Sequence, residues 1–306
     1  MSAEPTRIRL MLEYFHPWPN SAGFYLARER GWYADAGLEV EIVVPDPHRG
    51  DTLAHIGRGD VDFGVFPSNR LLVRRDRGEP LLAVAAINHR ALETVQTVAS
   101  TGIRRPAELA GRRVALNPTP RGIALLRHLV RHDGGDPDGL VLVDSGVREV
   151  TAERMAAGEI DASFGSYWAW EILMDSAVPA EERIVWPVDE IGAPPYHSYL
   201  LGGREERIAA APDMVRRFLA ATGRGFLAAA ADPLAAAPLY ESVIPYFPSE
   251  LITRSLPRIA PTWLHDGRWG VQREELLRPY ADWLAEHGIV ADSGIWRRAV
   301  SNEFLS

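Results

Sequence analysis

The sequence predicts an α/β fold, and three of its features carry that prediction. Strand-like segments at 8–12, 38–44, 61–65, 81–87, 113–116 and 160–165 are separated by segments of helical spacing, so the chain alternates between the two periods. The run Leu81-Leu82-Ala83-Val84-Ala85-Ala86-Ile87 is apolar throughout, as in a strand buried on both faces. At 306 residues the chain is long enough for two lobes, each with its own core.

Taken in order, Ile8, Leu10 and Leu12 lead into Phe15-His16-Pro17-Trp18-Pro19-Asn20, where two prolines force a shaped loop. Ser21 is expected to cap the next helix, whose apolar side is Phe24, Leu26, Ala27 and Trp32. Gly31 and Gly37 punctuate its exit, and 38–44 alternates at strand period. A short helix at 52–57 and a strand at 61–65 follow, then a helix at 69–77 with Ser68 or Asn69 as its cap. Asn88, His89 and Arg90 stand at the end of the strand 81–87, and 96–100 reads as another strand.

The next block repeats the opening layout. A strand at 113–116 runs into a second proline-rich loop, Asn117-Pro118-Thr119-Pro120-Arg121-Gly122, and a helix at 123–132. A strand at 140–143, a helix at 150–157 and a strand at 160–165 come next, the last followed at once by Tyr167-Trp168-Ala169-Trp170-Glu171. After 184–188, the segment 196–201 behind Pro194-Pro195 reads as a strand. Helices are expected at 213–227, 233–240 and 276–287.

A net charge of -8 with no basic tract argues against nucleic acid or an anionic membrane as partner. Absence of cysteine excludes disulfides, thiolate metal sites and cysteine nucleophiles. No metal-ligand spacing occurs, no cofactor motif is present, and no segment is apolar for the length of a bilayer span. The start MSAEPTRIRLML lacks a basic-then-apolar leader, so the chain as written is expected in the cytoplasm, and outside it if the natural start lies upstream.

Four segments carry a resemblance to a known family. They are Gly23-Phe24-Tyr25-Leu26-Ala27 through Gly31-Trp32-Tyr33 and Gly37-Leu38-Glu39-Val40; Gly59-Asp60-Val61-Asp62-Phe63-Gly64 with Arg77-Gly78-Glu79-Pro80-Leu81; Leu109-Ala110-Gly111-Arg112-Arg113-Val114 with Gly158-Glu159-Ile160-Asp161-Ala162; and Pro212 to Gly225. In order and spacing they resemble the ABC-transporter solute-binding proteins for sulfonates, nitrate, taurine and thiamine-pyrimidine precursors. That family also includes fungal thiamine-pyrimidine synthases and some desulfinases and decarboxylases. The resemblance implies a periplasmic-binding-protein type II fold, with two Rossmann-like lobes on a two-strand hinge. Lobe one would be 1–95 and 196–306, lobe two 96–195, and the crossings 94–99 and 196–201. A ligand would lie in an inter-lobe cleft.

Within that frame the loop residues become candidates. Phe15, Trp18 and Trp168 are placed to stack on a flat ring, at about 0.5–1.5 kcal/mol each beyond area burial, or else they pack cores or lids. Asn20, Asn117 and Tyr167 lie on the same loops. Glu171 stands where the pyrimidine branch has an acid for an exocyclic amine, or it opens a helix. Thr119 and Arg121 stand at a helix start suited to an anion or a polar carbonyl, with a surface charge as the other reading of Arg121. Ser68, Asn69, Asn88, His89 and His197 are either ligand groups or caps and backbone-satisfied polar residues. The synthase chemistry of the family departs from this chain: by count from Asp62-Phe63-Gly64, its lysine and histidine fall on Phe66 and Arg70.

Two functions follow from the sequence. One is a solute-binding protein that captures a small aromatic or N-heterocyclic molecule, such as a thiamine-pyrimidine precursor, for an ABC permease. The other is an enzyme on the same fold doing decarboxylation or hydrolysis, with His16, His89, His197 and Glu171 as candidate bases.

Overall fold

Alternation in the first strand sends Ile8 and Leu10 into the interior and Arg7 and Arg9 to solvent. There the two arginines meet Glu39 and Glu41 of the neighbouring strand at 3.1 and 3.0 Å. The computed structural model describes residues 4–146, 150–170 and 178–305. In chain order its main strands are β1 (Thr6–Met11), β2 (Leu38–Val43), β3 (Phe63–Pro67), β4 (Leu81–Ala86), β5 (Glu93–Val98), β6 (Arg113–Leu116), β7 (Val141–Asp144), β8 (Ala162–Tyr167), β9 (Arg183–Pro187) and β10 (Tyr199–Arg204).

They form two mixed five-stranded sheets, ordered β2-β1-β3-β10-β4 and β7-β6-β8-β5-β9. The chain divides into two units accordingly: Met1–Arg90 with Tyr196–Ser306, and Ala91–Pro195. In unit one β10 runs antiparallel between β3 and β4, with Tyr199 opposite Pro67 and Leu200 opposite Ala86. In unit two β5 is the antiparallel member, placed between β8 and β9.

Helix Ala22–Glu29 crosses helix Pro212–Ala231 at glycine, and this is why the motif Pro212 to Gly225 ends as it does. A methyl group on Gly225 would be driven into the Gly23 carbonyl, so only glycine lets the two backbones meet. Phe226 then fills the space over Gly23 and lies edge-on to Phe24 at 5.1 Å and stacked on Trp269 at 5.3 Å.

Several expectations need correction. The strand expected at 96–100 is β5, Glu93–Val98, and it ends in a 3-10 turn at Ala99–Thr101. Since β5 bonds to β8 and β9, it belongs wholly to unit two, and the chain crosses at Arg90/Ala91 and not at 95/96. The strand expected at 196–201 begins at Tyr199. Ser21 does not cap its helix: its hydroxyl donates to the Trp18 carbonyl at 2.7 Å and meets the Tyr240 hydroxyl at 2.9 Å. Neither Ser68 nor Asn69 caps the next helix, because Ser68 already lies inside it and Pro67 holds the cap position. Helix Ser249–Ile259 and the hairpin Leu264–His265 with Arg268–Trp269 were not anticipated. Pro248, Pro257 and Pro261 gave that stretch the look of irregular chain.

Candidate functional site

The topology of unit one brings four segments to one sheet edge. β1, β3 and β4 end there, and β10, running the other way, begins there. The edge therefore gathers 12–20, 66–69, 87–90 and 196–198, the region where open α/β sheets receive ligands.

Its interior is a connected set of polar side chains. Glu13, just past β1, accepts at Oε1 from the Trp18 indole N–H at 2.7 Å and from Asn20 Nδ2 at 3.0 Å. Asn20 Oδ1 accepts from Asn88 Nδ2 at 2.8 Å and from the Trp263 indole N–H at 3.1 Å. Asn88 Nδ2 also donates to Thr262 Oγ1 at 2.8 Å. Trp18, Asn20 and Asn88 are thus brought together as expected candidates, but as buried members of one network. Trp18 is only 2% exposed, with its ring edge-on to Tyr199 at 6.5 Å. Burial raises the Glu13 carboxyl above the usual carboxylate range, against the pull of the Asn20 and Trp18 hydrogen bonds. Among the described residues no cation is paired with it.

Beside this network stand three histidines. His197 is fully buried. The Arg273 backbone N–H donates to its Nε2 at 3.0 Å, so its proton sits on Nδ1, which meets the Asn88 carbonyl at 2.8 Å. Burial pushes the imidazole down to about 4, so it is neutral at pH 7. His89 lies edge-on to His197 at 5.2 Å and tilted to His265 at 5.8 Å. Neither ring nitrogen of the buried His89 has a hydrogen-bond partner among the described residues. Burial first, and then the His197, His265 and Arg273 charges, push it down to about 3.

The outer part of the edge is aromatic. Phe15 is 47% exposed and packs on Tyr14 at 4.2 Å and edge-on to His16 at 4.9 Å. His16 in turn meets Phe247 at 4.8 Å, and Tyr246 beside it is 66% exposed. Ser68 is buried, Asn69 is half-buried, and the Ser68 backbone N–H donates to the Ser198 carbonyl at 3.2 Å.

Unit two has its own edge, where β6 and β8 end and β5 begins. Thr119 caps helix Pro120–His132 by accepting from the Gly122 N–H at 3.1 Å, while Asn117 and Thr119 themselves are exposed. Arg121 is not a surface charge. It is buried, and its guanidinium donates to Glu93 Oε1 at 2.6 Å. Glu93 pairs in register with the half-buried Tyr167. Trp168 is 9% exposed and donates its indole N–H to the Ala91 carbonyl at 3.1 Å. Glu171 lies outside the described residues.

Sequence reasoning missed Glu13, Glu93, Tyr246, Thr262 and Trp263. Glu13 carried a signal: it is an acid directly after a buried strand and before a proline loop. Glu93 carried none, because its pairing with Arg121 depends on β5 lying antiparallel to β8.

The family model for NMT1/THI5-like proteins matches residues 18–236. The chain belongs to the NMT1/THI5-like family. A formylaminopyrimidine-binding protein of Halalkalibacterium halodurans is 26% identical over 221 residues, which cover 72% of this chain and 65%, just under two thirds, of that relative. The 4-amino-5-hydroxymethyl-2-methylpyrimidine phosphate synthase THI13 of Saccharomyces cerevisiae is 24% identical over 261 residues, 82% of this chain and 75% of that one. Among solved structures, the periplasmic aliphatic sulphonate binding protein SsuA of Escherichia coli superposes with a TM-score of 0.70 at 14% identity, covering 97% of this chain and 92% of that one. The family's two-unit α/β architecture is therefore that of the periplasmic binding proteins. No helix among the described residues is long and apolar enough to cross a membrane.

Proposed function

We propose that this protein is a solute-binding protein that captures a small N-heterocyclic molecule of the aminopyrimidine class and hands it to an ABC permease. Family membership supports the class of protein, and the relative named for formylaminopyrimidine supports the class of ligand. The observation that carries the reading is the edge of unit one. There the exposed Phe15, two residues past Glu13, is joined through His16 and Phe247 to the exposed Tyr246, and the loop that carries Phe15 also carries the carboxyl and carboxamide of Glu13 and Asn20. Flat apolar rings with a few oriented polar groups suit a flat, nitrogen-bearing ligand.

A thermal-shift series tests this with formylaminopyrimidine, 4-amino-5-hydroxymethyl-2-methylpyrimidine and an aliphatic sulfonate. A ligand at a hundred times its Kd stabilises the folded state by about 2.7 kcal/mol. The pyrimidines are expected to give a dose-dependent rise in Tm; no rise, or a rise with the sulfonate alone, refutes the reading. Conversion of the bound pyrimidine, read by mass spectrometry, would make the protein an enzyme instead. A permease-coupled role further requires the protein outside the cytoplasm, which fractionation of the native host checks.

A further inference from the structure

Two donor groups of unit one have no acceptor. His89 is 9% exposed, and neither of its ring nitrogens finds a partner among the described residues. The Arg273 side chain is 23% exposed, yet among the described residues its guanidinium makes no hydrogen bond, and its one ion pair there, from Nε to the exposed Glu275 at 3.8 Å, is loose. Both residues are anchored through their backbones: the His89 N–H donates to the Thr262 carbonyl at 2.7 Å, and the Arg273 N–H to His197 Nε2 at 3.0 Å. His197 commits its other nitrogen to the Asn88 carbonyl, so it can serve neither group. His265, on the hairpin, lies 5.8 Å from the His89 ring, with the exposed Asp266 3.3 Å from its Nε2. A buried imidazole and a largely buried guanidinium without acceptors are both costly. Oxygens that carry negative charge would satisfy the two together, because the guanidinium fork matches an oxyanion. A metal ion would not: among the described residues no three histidine or acidic side chains are arranged to hold one, and the guanidinium would repel it.

We infer that His89 and Arg273, with His265 as the outer wall, form a binding site for a small oxyanion, the imidazole and the guanidinium both donating to its oxygens. By itself His89 is kept neutral, by burial first and then by the His197, His265 and Arg273 charges. The acids nearby, Asp266 on the hairpin and Glu275 on helix Glu274–Glu286, are exposed and make no hydrogen bond to it, and Arg90 follows it in the chain. An oxyanion reverses that field. As it enters, His89 takes a proton from solvent and both ring nitrogens become donors. Binding is therefore coupled to the uptake of one proton, and it strengthens as pH falls toward 5.5.

The test is calorimetry with acetate and with sulfate, against chloride at matched ionic strength, at pH 5.5 and 7.5. The wild type is expected to bind at least one of the two oxyanions about tenfold tighter at pH 5.5, with a proton taken up that shows as a dependence of the measured heat on the buffer. Acetate alone marks a carboxylate site, and both anions mark a general oxyanion site. His89→Phe is expected to lose the proton uptake and the pH dependence, and Arg273→Gln to lose about tenfold or more in affinity at both pH values. No binding of either oxyanion beyond that of chloride overturns the inference, and so does an unchanged pH profile in His89→Phe. Should His89→Phe not fold, nitrogen NMR of the wild-type imidazoles decides: no histidine ring passing from neutral to doubly protonated when the anion is added at pH 5.5 overturns it as well.

Discussion

Acidification is expected to unfold unit one through its buried imidazoles. His197 and His89 have folded-state values pushed down to about 4 and about 3, mainly by burial. Unfolded histidine titrates near 6.5, so below that pH the unfolded chain binds protons that the folded chain refuses. A histidine depressed in this way leaves stability intact above pH 6.5 and removes it as pH falls toward the folded value. Each imidazole costs about 1.4 kcal/mol per pH unit over that window, so at pH 4.5 the pair removes on the order of 5 kcal/mol. That is a large share of the roughly 5–15 kcal/mol by which folded domains are stable. The depressed aspartates, Asp60 in unit one and Asp133 and Asp161 in unit two, lose their contribution below their unfolded value of 3.8, outside this window. Glu13, raised by burial, works in the opposite direction, so Glu13→Gln is a useful background. The assay is urea unfolding at pH 7.0, 6.0, 5.0 and 4.5. His197→Asn keeps a donor for the Asn88 carbonyl, gives up the acceptor for the Arg273 N–H, and should shed one proton's worth of slope. A stability that stays level from pH 6.5 to 4.5, or a slope unchanged in His197→Asn, would refute the reasoning.

Three further outcomes are expected. Glu13→Gln should raise Tm at pH 7 and lose that gain as pH drops toward 4.5, because the wild-type carboxyl is disfavoured only when ionised; a Tm below wild type at pH 7 contradicts this. Glu93→Ala removes the carboxylate 2.6 Å from the buried Arg121 guanidinium and should destabilise unit two by about 1.5–3 kcal/mol, the range of a hydrogen bond between charged groups, read as an earlier unfolding transition. Gly225→Ala forces a methyl group against the Gly23 carbonyl and should cost at least about 1–3 kcal/mol in thermal unfolding, while Gly31→Ala, at a positive φ with open space around it, pays only backbone strain.

The legible part of the fold was the part written in local periodicity. The run 81–87 became β4 and its exit, and 38–44 became β2, because burial on one or both faces imposes its pattern residue by residue. The proline loops were legible for the same reason, since proline restricts its own φ and its neighbour. Capping was less so. Ser21 and Ser68 have cap chemistry, but Ser21 found a better partner in the Tyr240 hydroxyl, and Ser68 fell inside the helix. Trp18 was correctly placed on a loop, and its packing reading is the one the structure supports; Arg121, expected in the loop 117–122 as a ligand group or a surface charge, lies in the first turn of helix Pro120–His132 and is buried. The direction of each side chain depended on Glu13 and Glu93, far from obvious in the sequence.

By itself the sequence determined the α/β class, the family, and the stretches that end strands and begin helices. These follow from periodicity and from residues with restricted backbones, which act over a few positions. Tertiary structure alone decided which ends share an edge. Placing β10 antiparallel between β3 and β4 brings His197 against Asn88, and placing β5 against β8 brings Glu93 within reach of Arg121. Those pairings join residues 109 and 28 positions apart, and no local preference encodes a hydrogen bond that only the closure of a sheet creates.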